Sequence, residues 1–184
     1  NYDKAIRKGF KAIKEEALAR IAEVKGKLYG DDAEKEQFYY AVTIVCDAAI
    51  RLAKRYAAEC RRQATECRRQ AGGLSDPARV ATTADPGRTA GTTDDTRAAG
   101  TANAAPQAAL ASRAAELELM AETLDWIMEN PARTFLEAVQ CLFLYQIVLS
   151  LDGNLHGLTF GRVDQYLNDF YEADLAAGRL TREQ

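Results

Sequence analysis

The stretch Asn130-Pro131-Ala132-Arg133-Thr134-Phe135-Leu136-Glu137-Ala138-Val139-Gln140 punctuates the chain and decides its fold class. Pro131 disfavours the helical region for the residue before it, so a helix arriving from upstream stops at Asn130. Just beyond, Thr134 and Glu137 have the spacing of a capping box, in which each side chain satisfies the other residue's free backbone amide. The helix that follows, Phe135 to about Leu151, is apolar on nearly every face and carries Glu137, Gln140 and Gln146. It approaches membrane-span length, but those polar residues favour a helix surrounded by protein over one surrounded by lipid. A chain of this size hardly provides that much cover by itself.

Upstream, the helix that ends at Asn130 runs through Leu110, Leu117, Met120, Leu124 and Ile127. At the start of the chain Ile6, Phe10, Ile13, Ala17, Ile21, Val24 and Leu28 recur at spacings of three and four, an amphipathic helix expected to end at the Tyr29-Gly30 turn. A second helix is expected after Asp31-Asp32, which can cap its first turn, with the stripe Phe38, Val42, Val45, Ala49, Leu52 and Tyr56. The short connection predicts antiparallel packing. That helix continues through a heptad duplication, Glu59-Cys60-Arg61-Arg62-Gln63-Ala64 and Glu66-Cys67-Arg68-Arg69-Gln70-Ala71, whose copies share one face as a solvated basic arm. From Gly72 to about Pro106, large apolar residues almost vanish, and a disordered loop without chemistry of its own is expected.

Downstream, Asp152-Gly153-Asn154 breaks the apolar helix, and Leu155 to Arg162 reads as extended, with Leu158-Thr159-Phe160 strand-like. A last helix, Gln165 to Ala177, is expected to start under Asp164 and to close at Gly178 in a left-handed cap. Arg162 and Asp164 either pair locally or cap this helix, and Tyr166, Phe170 and Tyr171 repeat at core spacing. Thr181 and Gln184 begin another capping box, which predicts a chain that continues beyond these 184 residues. The fold class expected for this piece is therefore mainly α, with long antiparallel helices and one short strand.

Composition excludes several functions. A sequence pI near 5.4 argues against a nucleic-acid binder, the formal charge of −3 implies no particular partner, and Lys4, Arg7, Lys8 and Lys11 interrupt any leader-like apolar run. Cys46, Cys60, Cys67 and Cys141 form no CxxC pair and accompany one histidine, so no metal site is expected. Cys60 and Cys67, two helical turns apart, are too distant for a disulfide, and Cys46 and Cys141 read as inert core thiols in a reducing, cytoplasmic setting.

The opening stretch resembles the "NPPRTFWEALQ" run of the glycyl radical enzymes, the family of pyruvate formate-lyase and its dehydratase and decarboxylase relatives. His156-Gly157-Leu158-Thr159-Phe160-Gly161-Arg162-Val163-Asp164-Gln165-Tyr166-Leu167 is similar to their "HSxSxGRxDQYL" run, and Tyr171 to Thr181 continues it. Asn1-Tyr2-Asp3-Lys4, Phe38-Tyr39-Tyr40-Ala41 and Arg55-Tyr56-Ala57 resemble the family in order and approximate spacing. The resemblance divides the chain into a helical part of a pyruvate formate-lyase-like domain at 1–71, a low-complexity insertion at 72–106, and further helices with a barrel strand of the same domain at 107–184.

The resemblance implies an internal piece, from the N-terminal half, of a ten-stranded α/β barrel. It implies a radical installed on a C-terminal glycine by an activating enzyme that uses S-adenosylmethionine and an iron–sulfur cluster, and passed to a barrel cysteine. None of the four cysteines lies in the family's Gly-Cys-Val-type loop, so the piece is expected to bind no cofactor and to be inactive alone. As a full-length protein it is expected to be a homodimeric lyase or acyltransferase of anaerobic metabolism, cleaving carbon–carbon or carbon–oxygen bonds in a small organic substrate. Its expected partners are the activating enzyme and the remainder of its own barrel, with neither nucleic acid nor membrane.

The resemblance also makes His156 and Gly157 the substrate-pocket candidates. Where relatives carry a serine that hydrogen-bonds substrate, Gly157 offers no side-chain donor, which weighs against a simple diol dehydratase and leaves room for a bulkier group. Asp164-Gln165-Tyr166 leans toward the dehydratase and decarboxylase branch. The competing reading is a non-catalytic helical interaction module or a degenerate remnant.

Overall fold

A computed structural model describes residues 1–27, 30–74, 95–152 and 159–182. Five helices appear in it: α1 (Tyr2–Val24), α2 (Asp32–Leu74), α3 (Asp95–Trp126), α4 (Phe135–Asp152) and α5 (Val163–Ala176). The mainly α expectation holds. The short strand is not seen, because Thr159 to Arg162 have no regular structure and the rest of that stretch lies outside the described residues. No helix among the described residues is long and apolar enough to cross a membrane.

The chain forms two compact units, Asn1–Ala57 with Glu122–Gln184, and Ala58–Ala121. In the first, α4 packs on both α1 and α5. Lys14 of α1 pairs with Asp47 of α2 at 2.7 Å, while Arg20, further along α1, lies in the field of Tyr39, earlier along α2, so these two helices run antiparallel as the short connection predicts. Ile6, Phe10, Ala17 and Ile21 of the expected α1 stripe are buried. The helix stops at Val24, before left-handed Gly26, rather than at Tyr29-Gly30.

The α2 stripe needs correction. Its buried face is Thr43, Cys46, Ala49, Ala53 and Ala57, whereas Phe38, Val45 and Tyr56 of the expected stripe are 63%, 50% and 45% exposed. Small side chains let neighbouring backbones approach closely, and the period of the larger ones identified the helix without fixing which face is covered.

In the second unit Cys60, Ala64, Ala114, Leu117 and Ala121 are buried, and Arg68 pairs with Glu118 at 2.9 Å. The duplicated heptads make duplicate contacts: Arg62 with Glu59, and Arg69 with Glu66. These bonds within the helix neutralise much of the basic arm. The loop expected over 72–106 is partly helix, because α2 continues to Leu74 and α3 begins at Asp95 and passes through Pro106. Alanines at 98, 99, 102, 104 and 105 explain this, since alanine has the highest helix propensity.

The two ends of the α4–α5 pair are built differently from their expected caps. Glu137 N–H donates to Thr134 Oγ1 at 3.2 Å, half of the capping box, but the Glu137 carboxylate accepts from Arg133 N–H at 2.7 Å and from the Arg133 guanidinium instead of from Thr134. The cap is completed from α5, where Asp174, 3% exposed, accepts the Phe135 N–H at 2.9 Å and holds Arg179 at 2.6 Å. Asp164 does not cap α5. Arg162 occupies that position without a capping bond from its side chain, whose guanidinium pairs with Asp164 at 2.9 Å. Gly178 does close α5: at φ 67° its N–H reaches Leu175 O, and Arg179 N–H reaches Asp174 O, the paired bonds of a Schellman motif.

Candidate functional site

His156 and Gly157, the substrate-pocket candidates, lie outside the described residues. The structure describes the end of α4 and the start of α5, which flank them in sequence, and the side chains that join these two ends.

The joining element is the first part of α1. Gly9, at φ 74° and ψ 161°, breaks that helix, and the chain there interlocks with the turn before α4. Phe10 N–H donates to Met128 O at 2.6 Å, Lys11 N–H to Glu129 O at 3.2 Å, and Ala132 N–H to Ile6 O at 2.9 Å. These amides and carbonyls lose their helical partners at the break, and the turn satisfies them. Met128, fully buried, takes the left-handed φ of 67° there.

Residues 2–8 thereby reach both flanks. The Tyr2 hydroxyl donates to Gln146 Oε1 on α4. Its ring lies 5.2 Å from Tyr145 in an edge contact and 5.8 Å from Phe160. Phe10 meets the same Tyr145 at 5.3 Å, and Tyr166 of α5 donates to Phe160 O at 2.7 Å. Burial raises the Tyr2, Tyr145 and Tyr166 hydroxyls, so all three stay protonated donors at neutral pH.

Arg7 reaches α5. It donates to Asp3 at 2.6 Å, to Asp169 at 2.9 Å and weakly to Tyr166 O at 3.4 Å, with its guanidinium 5.6 Å from the centre of the Phe170 ring. The bond with Asp3, then that with Asp169, raises its pKa further. Tyr166, Phe170 and Tyr171, expected as core, are half-buried, with Tyr171 edge-on to Phe135 at 5.6 Å. Arg162 and Asp164 take the local pairing expected of them, and the Arg162 hydrogen bond lowers the Asp164 carboxyl.

The buried cysteines offer no catalytic group here. Burial pushes the Cys141 thiol up to about 11 and raises Cys46 and Cys60, which leaves them protonated and poorly nucleophilic. No three described His, Cys, Asp or Glu residues come together as metal ligands. The site is thus an uncharged aromatic and hydroxyl cluster beside an ion-paired arginine, suited to holding two helix ends together. Sequence reading missed Tyr2 and Arg7 as parts of it. Tyr2 appeared only within a resemblance, and neither residue's spacing indicates partners more than a hundred positions away.

The family model described as pyruvate formate lyase-like matches residues 1–76 and 88–184. The isethionate sulfite-lyase of Nitratidesulfovibrio vulgaris is 36% identical over the whole chain, which covers 17% of that protein. The trans-4-hydroxy-L-proline dehydratase of Clostridioides difficile is 27% identical over 99% of the chain, covering 18% of that protein. Among solved structures, a glycyl radical enzyme from Archaeoglobus fulgidus matches at TM-score 0.70 and 27% identity, over 100% of this chain and 18% of that one. The chain therefore spans under a fifth of the length of the relatives it matches.

Proposed function

The chain belongs to the pyruvate formate lyase-like family, and on that premise we propose that it is part of a glycyl radical enzyme cleaving a carbon–heteroatom or carbon–carbon bond in a small organic substrate. The relatives are radical lyases and dehydratases, and the observation that carries the reading is a match across all 184 residues to isethionate sulfite-lyase at 36% identity. That relative's name adds carbon–sulfur cleavage to the carbon–carbon and carbon–oxygen alternatives. A sulfonate also suits Gly157, which gives up a side-chain hydrogen bond but leaves space for a bulky tetrahedral anion. We place His156 and Gly157 in the lining of the substrate pocket on a barrel strand.

The described residues do not fit the radical itself. On this reading the radical glycine and the reacting cysteine are assigned to polypeptide outside residues 1–184 and this piece alone is inactive; the burial of Cys46 and Cys141 on helices, as protonated thiols, supports it. The activating enzyme, the rest of the barrel and a second subunit are the partners that go with this reading, and four free cysteines suit a reducing cytoplasm. The family match omits residues 77–87, which supports an insertion within the 72–106 segment.

The test is a substrate panel on the activated full-length protein under strict anaerobiosis: isethionate, propane-1,2-diol, glycerol and trans-4-hydroxy-L-proline. Sulfite release from isethionate, absent when activation is omitted, is the expected result. Turnover of a diol alone would leave the radical enzyme in place and replace the sulfonate; turnover of none with a charged radical would overturn the choice of substrate class.

A further inference from the structure

Tyr2 and Arg7 lie within two turns of each other at the start of α1, yet their contacts are on two other helices. Tyr2 holds α4 through Gln146 and Tyr145 and touches Phe160, whereas Arg7 holds α5 through Asp169, the Tyr166 carbonyl and the Phe170 ring. Five positions apart on one helical segment, the two side chains point about 140° apart around its axis and so face different neighbours. The break at Gly9 separates the direction of residues 2–8 from that of the rest of the helix.

The arm is fastened at its base by three backbone hydrogen bonds from Ile6, Phe10 and Lys11, on either side of the break, to the turn before α4. A charged strap reinforces it: Lys4 and Lys8, before Gly9, both donate to Glu16, after it, at 2.6 and 2.5 Å. The arm is thus fixed to the body of the unit at one end and with the other spans α4 at Tyr145 and Gln146 and α5 at Asp169 and Phe170. Without it, Phe160 keeps only the Tyr166 hydroxyl among the bonds and ring contacts described.

We propose that Tyr2 and Arg7 are positioning residues: the arm they form sets the spacing between the last two turns of α4 and the first two turns of α5, the two elements that carry the segment assigned to substrate binding. The functional half of this statement rests on the reading above; the mechanical half does not. Neither residue is a catalytic group. The phenol is a neutral donor fully engaged with Gln146, and the guanidinium is engaged with two carboxylates.

The test is amide hydrogen exchange on the full-length protein carrying Tyr2→Phe, which removes one hydroxyl and keeps the ring, or Arg7→Gln, which removes the charge. The expected result is exchange about 3- to 10-fold faster at Thr159 to Phe170 and over the last two turns of α4, with α2 unchanged, the scale of one net hydrogen bond. Unchanged exchange at both ends, or acceleration spread evenly over α1, α2, α4 and α5 as simple destabilisation gives, would overturn the proposal. Arg7→Lys, which keeps one charge near Asp169, should restore part of the protection. If the activated enzyme turns over, Tyr2→Phe should also raise KM while kcat stays within about twofold. An enzyme without turnover would count against the functional reading, while the exchange result still decides the arm.

Discussion

Gly9 stands so close to Glu129 that a Cβ built on it lies 2.5 Å from the Glu129 carbonyl oxygen and 2.6 Å from the Asn130 carbonyl carbon. Both obstacles are backbone, and both belong to the turn that Phe10 and Lys11 hydrogen-bond. The φ of 74° with ψ of 161° adds a second constraint, since that region is open essentially to glycine alone.

Gly9→Ala should therefore destabilise the protein by more than about 3 kcal/mol, combining backbone strain with displacement of the turn. Urea denaturation followed by circular dichroism measures it. Gly26→Ala, at φ 80° with nothing within 4 Å, carries strain alone and should cost about 1 kcal/mol. Equal effects at the two glycines would show that the interlock contributes nothing.

Asp174 closes the other end of the α4–α5 pair by accepting the Phe135 amide while holding Arg179. Asp174→Ala leaves that amide without its acceptor, and the expected loss is about 1–3 kcal/mol, because half-exposed Arg179 can be rehydrated. Asp174→Asn keeps an acceptor for Phe135 and should recover part of it. Equilibrium unfolding of the two variants checks the order.

The Glu16 carboxyl is lowered from 4.5 to about 2 by hydrogen bonds from Lys4 and Lys8. A depressed folded-state value means that this contribution is complete above about 4.5 and fades as pH falls through about 2. The group is at the surface, so salt screens it. Carboxyl titration by NMR should find a midpoint well under 4.5 at low ionic strength that rises in about 1 M salt; a midpoint at 4.5 under both conditions would mean that the strap across the Gly9 break is not formed in solution.

Thiol reactivity should follow burial. At mildly alkaline pH, iodoacetamide should modify half-exposed Cys67 well before Cys141, whose thiol sits up near 11 and is 1% exposed. Mass spectrometry of the time course gives the order, and early modification of Cys141 would contradict its placement inside α4.

These residues also show what a sequence can disclose. The Thr134 cap, the stop at Gly178 and the Arg162–Asp164 pair were legible because each depends on partners a few positions apart. The Glu137 carboxylate turned to Arg133, and Asp174 supplied the missing acceptor from 39 positions away, a choice made by the packing of α5 on α4. The α2 face was misjudged, Ala49 excepted, because Phe38, Val45 and Tyr56 announce a helix more loudly than the buried Thr43, Cys46 and Ala53. Gly9 carried no signal within the α1 stripe, since its φ is imposed by a turn near residue 129. His156 and Gly157 were reached through resemblance alone, and the brace of Tyr2 and Arg7 only through tertiary contacts.

The claim that this chain is part of a glycyl radical enzyme is tested most directly by electron paramagnetic resonance on the full-length protein after anaerobic treatment with an S-adenosylmethionine-dependent activating enzyme. The account predicts a glycyl radical doublet in the full-length protein and none in residues 1–184 treated identically. A full-length protein that stays silent, under conditions that charge a known relative, would contradict it.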